Sequence, residues 1–156
     1  MRNLLVGLFL FGLCFSSSAK PALFVDKQLK ISDSVTEILR DISTHNVYEY
    51  KTVGIAGTIS KQYLRYEQLA RVATIDELLQ ISKDYKNAVA RLYAFQALKL
   101  KGSAIPKDLQ EQFDSDKTEI QTLNGCLGNI SKVDELSKEN FNNQGSTIQI
   151  QNKNQK

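Results

Sequence analysis

The sequence has few of the residues that hold metal ions or form disulfides. It contains two Cys, one His, one Met and no Trp in 156 residues. Two cysteines form at most one disulfide, which excludes the cysteine-dense class of small secreted scaffolds. With a single His, no CxxC motif and no calcium-loop spacing, we expect no metal ion and no other cofactor.

Proline, glycine and an excess of charge of one sign are scarce as well. Only 2 Pro and 8 Gly are present, which excludes collagen-like and low-complexity chains. Lys and Arg number 20 against 17 Asp and Glu, so the net charge of +3 predicts no nucleic-acid partner. The 42% hydrophobic content is typical of one globular domain at this length.

The longest apolar run lies at the N-terminus and is typical of a secretory signal. Arg2 precedes the apolar residues 4–15, and the small residues Ser17 and Ala19 follow at the positions that signal peptidase reads. The run is shorter than the ~20 residues that span a bilayer. We therefore expect residues 1–19 to be a signal peptide and the remaining chain to have no membrane span. The alternatives are an uncleaved anchor and a lipoprotein signal that ends at Cys14, although Leu13 stands where lipoprotein processing needs a small residue.

Cleavage after Ala19 would leave Cys126 as the only thiol. An exported chain that cannot form an internal disulfide is typical of the bacterial periplasm, so we expect a periplasmic or secreted protein.

Apolar residues recur at helical spacing through most of the remaining chain. Capping boxes of Ser34 with Glu37 and of Thr74 with Glu77 predict two helix starts, because their side chains bond the free amides of a first turn. The least regular segment is residues 47–59, which we interpret as a loop or a distorted helical turn.

The C-terminal third is also predicted to be helical. A helix or helix pair is expected after Pro106, carried by apolar residues as far as Leu123. A turn at residues 124–128 follows, and Ser131 with Asp134 predicts a last short helix. These segments form a single helical domain over residues 33–141.

Two flanking segments lie outside that predicted domain. Residues 20–32 are expected to be an irregular lead-in, and residues 142–156 a polar, disordered tail. Because residues 147–151 alternate at period two, an edge strand is the alternative for that part of the tail.

Residues 88–100 are the most apolar stretch after the signal, and their apolar side chains surround the whole helix. A helix that is apolar on all sides must be covered on several sides. We therefore predict an all-α fold, a small bundle of helical hairpins packed around this central buried helix.

A short helix over residues 75–81 leads to a turn at Asp84, and the next helix carries Arg91 and then the small residues Ala94 and Ala97. In this pattern, residues 74–102 resemble a HEAT-like helical repeat. The resemblance implies a HEAT-like bundle that serves as a protein-binding scaffold and carries no catalytic residues. It also implies that Arg91 braces the turn through Asp84.

Support for catalysis is thin. Cys126 and His45 are the only candidates for a thiol–imidazole pair, and no nucleophile signature surrounds Cys126, which we interpret as a small residue packed in a turn under the last helix. Glycan hydrolysis needs two carboxyl groups in different environments, and the sequence distinguishes none of its candidates. These candidates are Glu67, Glu77, Glu111, Glu119 and Glu135. We expect that the protein is not an enzyme.

A cluster of tyrosines and arginines is the best candidate for a partner surface, because these residue types are enriched at interface hot spots. The alternative is that Tyr63 and Tyr66 belong to the core. The candidate partner-binding residues are Tyr48, Tyr50, Tyr63, Arg65, Tyr66 and Arg71.

The leading functional hypothesis is an exported, non-enzymatic protein-interaction domain. We expect it to bind a protein partner, and a homodimer is a further option. One alternative is a periplasmic immunity protein that inhibits a secreted toxin such as a cell-wall amidase. The other alternative is a cell-wall glycan hydrolase.

Overall fold

The computed structural model describes residues 31–141. The predicted signal peptide, all but the end of the lead-in and the C-terminal tail lie outside this range. The described chain forms six helices and four strands. In chain order these are α1 (Asp33–His45), β1 (Val47–Val53), β2 (Thr58–Ile59), α2 (Lys61–Val72), α3 (Ile75–Asp84), α4 (Ala88–Leu100), α5 (Lys107–Ser115), β3 (Glu119–Gly125), β4 (Leu127–Lys132) and α6 (Val133–Lys138).

The prediction of an all-α fold is wrong, because the four strands form one mixed sheet in the order β2-β1-β3-β4. The central strands β1 and β3 are parallel, and each pairs with an antiparallel neighbour at its other side. The chain between β1 and β3 contains four helices. The molecule is therefore an α/β structure in which a helical layer covers one side of the sheet.

Glycines make the two tight turns of this sheet possible. Gly54 and Gly57, between β1 and β2, have φ of 74° and 61°, and Gly125, the last residue of β3, has φ of 57°. Residues that carry a side chain rarely adopt these positive φ angles, so glycine is the natural residue there. The turn predicted at residues 124–128 is present, but it joins two strands. The segment 47–59, interpreted as a loop or helical turn, is a strand pair.

The prediction of a buried central helix is confirmed. In α4 the nine residues from Val89 to Leu98 other than Arg91 leave at most 1% of their surface exposed. Helices α1, α2, α3 and α6 all contact α4. The inner face of the sheet, which carries Tyr48 and Ile120, completes the core.

Only one of the capping predictions is confirmed. Thr74 and Glu77 form the reciprocal capping box at the start of α3. Helix α1 begins two residues earlier than predicted, after Ser32 instead of Ser34, and α6 begins after Lys132; neither start has a side-chain cap. These two helices therefore depend on tertiary packing.

Arg91 braces a different segment from the one expected. Its Nη2 lies 2.7 Å from Asp116 Oδ2 and its Nη1 donates to Tyr85 O at 3.2 Å, whereas Asp84 is exposed. Arg91 therefore ties α4 to the link between α5 and β3. Within residues 31–141, no helix has the length and apolar character needed to cross a membrane.

Candidate binding groove on the sheet

The tyrosines proposed as a partner surface are core residues in this structure. Tyr48 and Tyr66 are fully buried, and Tyr63 and Tyr50 are exposed by only 8% and 9%. The alternative interpretation of Tyr63 and Tyr66 as core residues is confirmed, and it extends to the other two tyrosines. Their rings surround Phe141, with ring centres 4.9–5.6 Å away. In this conformation the four tyrosines expose little or no surface.

The two arginines of the same prediction lie on α2, away from the groove described below. Arg65 donates to Gln62 Oε1 at 3.0 Å and lies 4.0 Å from Asp41 Oδ2. Arg71 is exposed in the last turn. A binding role for Arg65 and Arg71 stays a prediction. The four tyrosines that were grouped with them are buried.

The face of the sheet that points away from the core carries a groove. The strand register places Val47, Gln121 and Ile130 in one row across β1, β3 and β4. It places Glu49, Leu123 and Gly128 in the next row. The cavity above these rows has a volume of about 740 Å³, and we call it the outer groove. Its lining residues are His45, Val47, Glu49, Gln121, Thr122, Leu123, Gly128, Asn129 and Ile130.

Strand β4 forms one side of the outer groove and one edge of the sheet. No residue of β4 is buried, and Leu127 and Ile130 are exposed by 71% and 68%. Within residues 31–141, no strand pairs with the outer edge of β4. The paired strands β1 and β3 therefore form the floor of the outer groove, and the exposed apolar residues of β4 form its open rim.

The opposite side of the outer groove holds a buried carboxylate. Glu49 is only 7% exposed, and its Oε1 lies 2.7 Å from His45 Nε2. Its Oε2 accepts a 2.5 Å hydrogen bond from Ser60 Oγ. In the neutral imidazole, Nε2 donates to Glu49, which leaves Nδ1 as a hydrogen-bond acceptor.

Local structure explains how these three side chains meet. Asn46 ends α1 in the left-handed conformation, with φ of 53°, so His45 at the helix end faces Glu49 on the strand that follows. Ser60 is the N-cap of α2, and its Oγ also accepts from Tyr63 N at 2.9 Å. One hydroxyl therefore caps a helix and fixes the Glu49 carboxylate.

The backbone at Glu49, which is in register with Leu123 of β3, is also held by a tyrosine. Tyr93 Oη accepts from Glu49 N at 2.8 Å and donates to Glu49 O at 3.0 Å. Burial raises the pKa of Tyr93 well above its usual value, so the hydroxyl keeps the proton that it donates. This clamp fixes β1 at the carboxylate position.

The arrangement does not assemble a nucleophile. Ser60 is fully buried and donates to Glu49 instead of His45, unlike the serine of a catalytic triad. Cys126 is exposed in the β3–β4 turn and is not packed under the last helix as predicted. Because β1 and β3 are parallel, His45 precedes one end of the pair and Cys126 follows the other, on the order of 20 Å apart. The two cannot form a thiol–imidazole pair.

Glycan hydrolysis and metal binding find no support either. The lining of the outer groove contains one carboxylate, whereas glycosidases use two. The candidate Glu77 is occupied in the capping box. No group of three or more His, Cys, Asp or Glu side chains in residues 31–141 could hold a metal ion.

Sequence reasoning missed Glu49 and Gly128 as groove residues and Ser60 as the hydrogen-bond partner of Glu49. The one available signal is the four-residue spacing of His45 and Glu49, but the two lie on different elements, so helix periodicity does not reveal it. The chain matches no protein-family model and shows no significant sequence match to a curated protein.

Proposed function

We propose that the chain is an exported, non-enzymatic protein-binding domain of a bacterium and that it contacts its partner through the outer groove. The observation that carries this proposal is the exposed outer face of the sheet within residues 31–141, where Ile130 is 68% exposed beside a groove of about 740 Å³. Exposed apolar residues beside a concave surface are typical of interaction sites.

The rim strand lacks the usual protection of a sheet edge. Strand β4 contains no Pro, its pairing with β3 is unbroken, and its only charged side chain is Lys132 at the end. Natural proteins block exposed edges with prolines, bulges or inward-pointing charges. An unblocked edge supports a surface that a partner covers.

The helical layer supports the same class of function. Helices α3 and α4 form the segment that resembles a HEAT-like repeat, a unit typical of binding scaffolds. The single carboxylate of the outer groove argues against a hydrolase at this site.

Site-specific photo-crosslinking in cells that produce the full chain tests the proposal. A benzoyl-phenylalanine placed at Ile130 is expected to give a discrete adduct with a partner protein. The matched control is the same probe at Leu64, which is 48% exposed on α2 and does not line the groove. Equal adducts from both positions, or none from position 130, would contradict the proposed surface.

A second measurement tests the non-enzymatic part. Purified protein incubated with peptidoglycan is expected to release no soluble fragments. Release above that of a heat-inactivated sample would show that the protein is a hydrolase.

A further inference from the structure

We propose that the outer groove binds an extended segment of the partner and that a Lys or Arg side chain of this segment lies against the His45–Glu49 pair. This inference rests on the proposed function and names the chemistry of the partner segment. Two observations support it: a glycine that opens the groove and the Glu49 carboxylate that lines it.

Gly128 is a glycine that the local backbone does not require. The other glycines in residues 31–141 have positive φ, whereas Gly128 does not. A Cβ at Gly128 would meet only Thr122 O, at the ordinary contact distance of 3.9 Å. Glycine weakens a strand, and inside one it often marks a place where another backbone or a ligand approaches closely.

The position of Gly128 shows which part of the groove it opens. It lies in the row of Leu123 and Glu49, so the missing side chain lowers the β4 side of that row. Two strand spacings, about 10 Å, separate Gly128 from Glu49, a distance that about three extended residues cover. An extended segment can therefore cross from the open rim to the carboxylate.

The Glu49 carboxylate, on the side of the groove opposite β4, favours a basic side chain in the partner segment. Glu49 is 7% exposed, and its two hydrogen-bond partners are the Ser60 hydroxyl and the His45 imidazole. Among residues 31–141 the groove lining contains no Lys or Arg, and Glu49 is its one carboxylate. A nearby cation is favourable, and more so where water is partly excluded.

The other charged groups on this face do not cancel that charge. Glu119 and Lys132 are paired in register on β3 and β4, so they offset each other. Lys51 is exposed further along β1 and does not line the groove.

The shape of the groove also fits a long basic side chain. Val47 and Leu123 provide apolar surface beside Glu49. Lys and Arg lay their methylene stems along apolar surface and direct the charged group to a polar partner. In the neutral imidazole, the His45 Nδ1 acceptor gives an N–H donor of the same group a second partner.

Binding of blocked peptides tests the inference. The probes are acetylated, amidated heptapeptide pools, randomised at six positions and fixed at the centre as Arg, Lys, citrulline or Glu. Citrulline has the shape of Arg without its charge. We expect the Arg and Lys pools to bind the full chain about tenfold more tightly than the citrulline and Glu pools.

Two variants localise the effect. Glu49→Gln is expected to remove the preference for Arg and Lys, and Gly128→Val to weaken binding of every pool because it fills the groove. The space around Gly128 accepts the added Cβ, and valine favours strands, so this variant should fold. Circular dichroism of both variants checks the fold, and if Glu49→Gln does not fold, the Arg–citrulline comparison decides.

The possible failures point to different errors. Equal binding of the citrulline and Arg pools, or preference for Glu, would overturn the basic side chain. Binding unaffected by Gly128→Val would overturn the location in the groove. No binding of any pool would overturn the extended segment, whereas the proposed function is decided separately by crosslinking at position 130.

Discussion

Glu77 joins two segments that lie far apart in the sequence. Its Oε2 accepts from Thr74 N at 2.9 Å within the capping box, and its Oε1 accepts from Ser32 N at 2.8 Å, at the start of α1. The residue is 6% exposed. The capping box was predictable because its two members are neighbours in sequence. The contact with Ser32 was not, because it depends on how α1 packs against α3.

We predict that Glu77 makes the stability of the fold depend on acid pH. The backbone hydrogen bonds from Ser32 and Thr74 lower the pKa of Glu77 from 4.5 to about 2. Because the folded-state pKa is the lower one, this stabilisation is complete above about pH 4.5 and is lost as the pH falls towards 2. Glu77→Gln should lower the unfolding free energy by about 1–3 kcal/mol at pH 7 and by less at pH 2.

Urea denaturation at pH 7, 4 and 2 measures this effect. Glu67→Gln is the matched control, because Glu67 is exposed on α2. A constant difference between wild type and Glu77→Gln at all three pH values would contradict the prediction.

Two stacked tyrosines offer a second prediction at the residue scale. Tyr48 and Tyr93 are both fully buried, and their ring centres are 4.8 Å apart. The Tyr93 hydroxyl holds both backbone groups of Glu49, whereas the Tyr48 hydroxyl has no hydrogen-bond partner within residues 31–141. Tyr93→Phe should lower the unfolding free energy by about 1–3 kcal/mol, because it leaves buried backbone groups unpaired. Tyr48→Phe should leave it unchanged or raise it.

Thermal melts of the two variants provide the comparison. Both tyrosines are fully buried, and each substitution removes one hydroxyl oxygen. Equal destabilisation by both would show that the hydroxyl of Tyr93 has no special role at β1.

At the scale of elements, the helices could be predicted and the strands could not. The uniformly apolar sequence of α4 indicates a buried helix without reference to any other element. In β3, by contrast, Ile120 and Leu123 are three residues apart and fit the helical spacing that begins at Leu109. The alternation of buried Ile120 and Thr122 with exposed neighbours is visible only once the core face is known.

The parallel pairing of β1 with β3 is a second reason for this failure. Residues 47–53 hydrogen-bond with a strand that follows four intervening helices, so nothing local indicates the partner. The outer groove is formed by this pairing, so the sequence predicted a site at the tyrosines and gave no indication of the groove. Composition and periodicity do not carry such long-range information.

The Arg91–Asp116 ion pair shows how one contact joins elements. The side chains of Arg91 and Asp116 are 16% and 15% exposed, and their closest atoms are 2.7 Å apart. Asp116→Ala would leave the Arg91 charge largely buried and unpaired. We expect it to lower the unfolding free energy by about 3 kcal/mol, near the lower limit for breaking a buried pair.

Asp84→Ala is the matched control for this prediction, because the HEAT-like resemblance implied that Asp84 holds Arg91. Asp84 is exposed, so its removal should change the unfolding free energy by less than about 0.5 kcal/mol. Guanidinium denaturation of both variants gives the comparison. A larger effect of Asp84→Ala than of Asp116→Ala would restore the original interpretation.

At the scale of the whole molecule, Phe141 connects parts of the core that are distant in sequence. Its ring contacts Tyr48 and Tyr50 on β1, Tyr63 and Tyr66 on α2, and Tyr93 on α4. It is 3% exposed, although it lies after the last helix. The C-terminal end of the described chain therefore closes the space between the sheet and the helical layer.

We predict that Phe141→Ala lowers the unfolding free energy by about 3–5 kcal/mol, because it leaves a cavity among five aromatic rings. Phe141→Leu, which keeps most of the volume, should cost less than about 1.5 kcal/mol. Tyrosine fluorescence during urea denaturation measures both values, since the chain has no Trp and five of its six tyrosines surround Phe141. Ile55→Ala, at a position 99% exposed in the β1–β2 turn, serves as the control. If Phe141→Ala were as stable as this control, the residue would not close the core, and the sheet and helices would have to be held together without it.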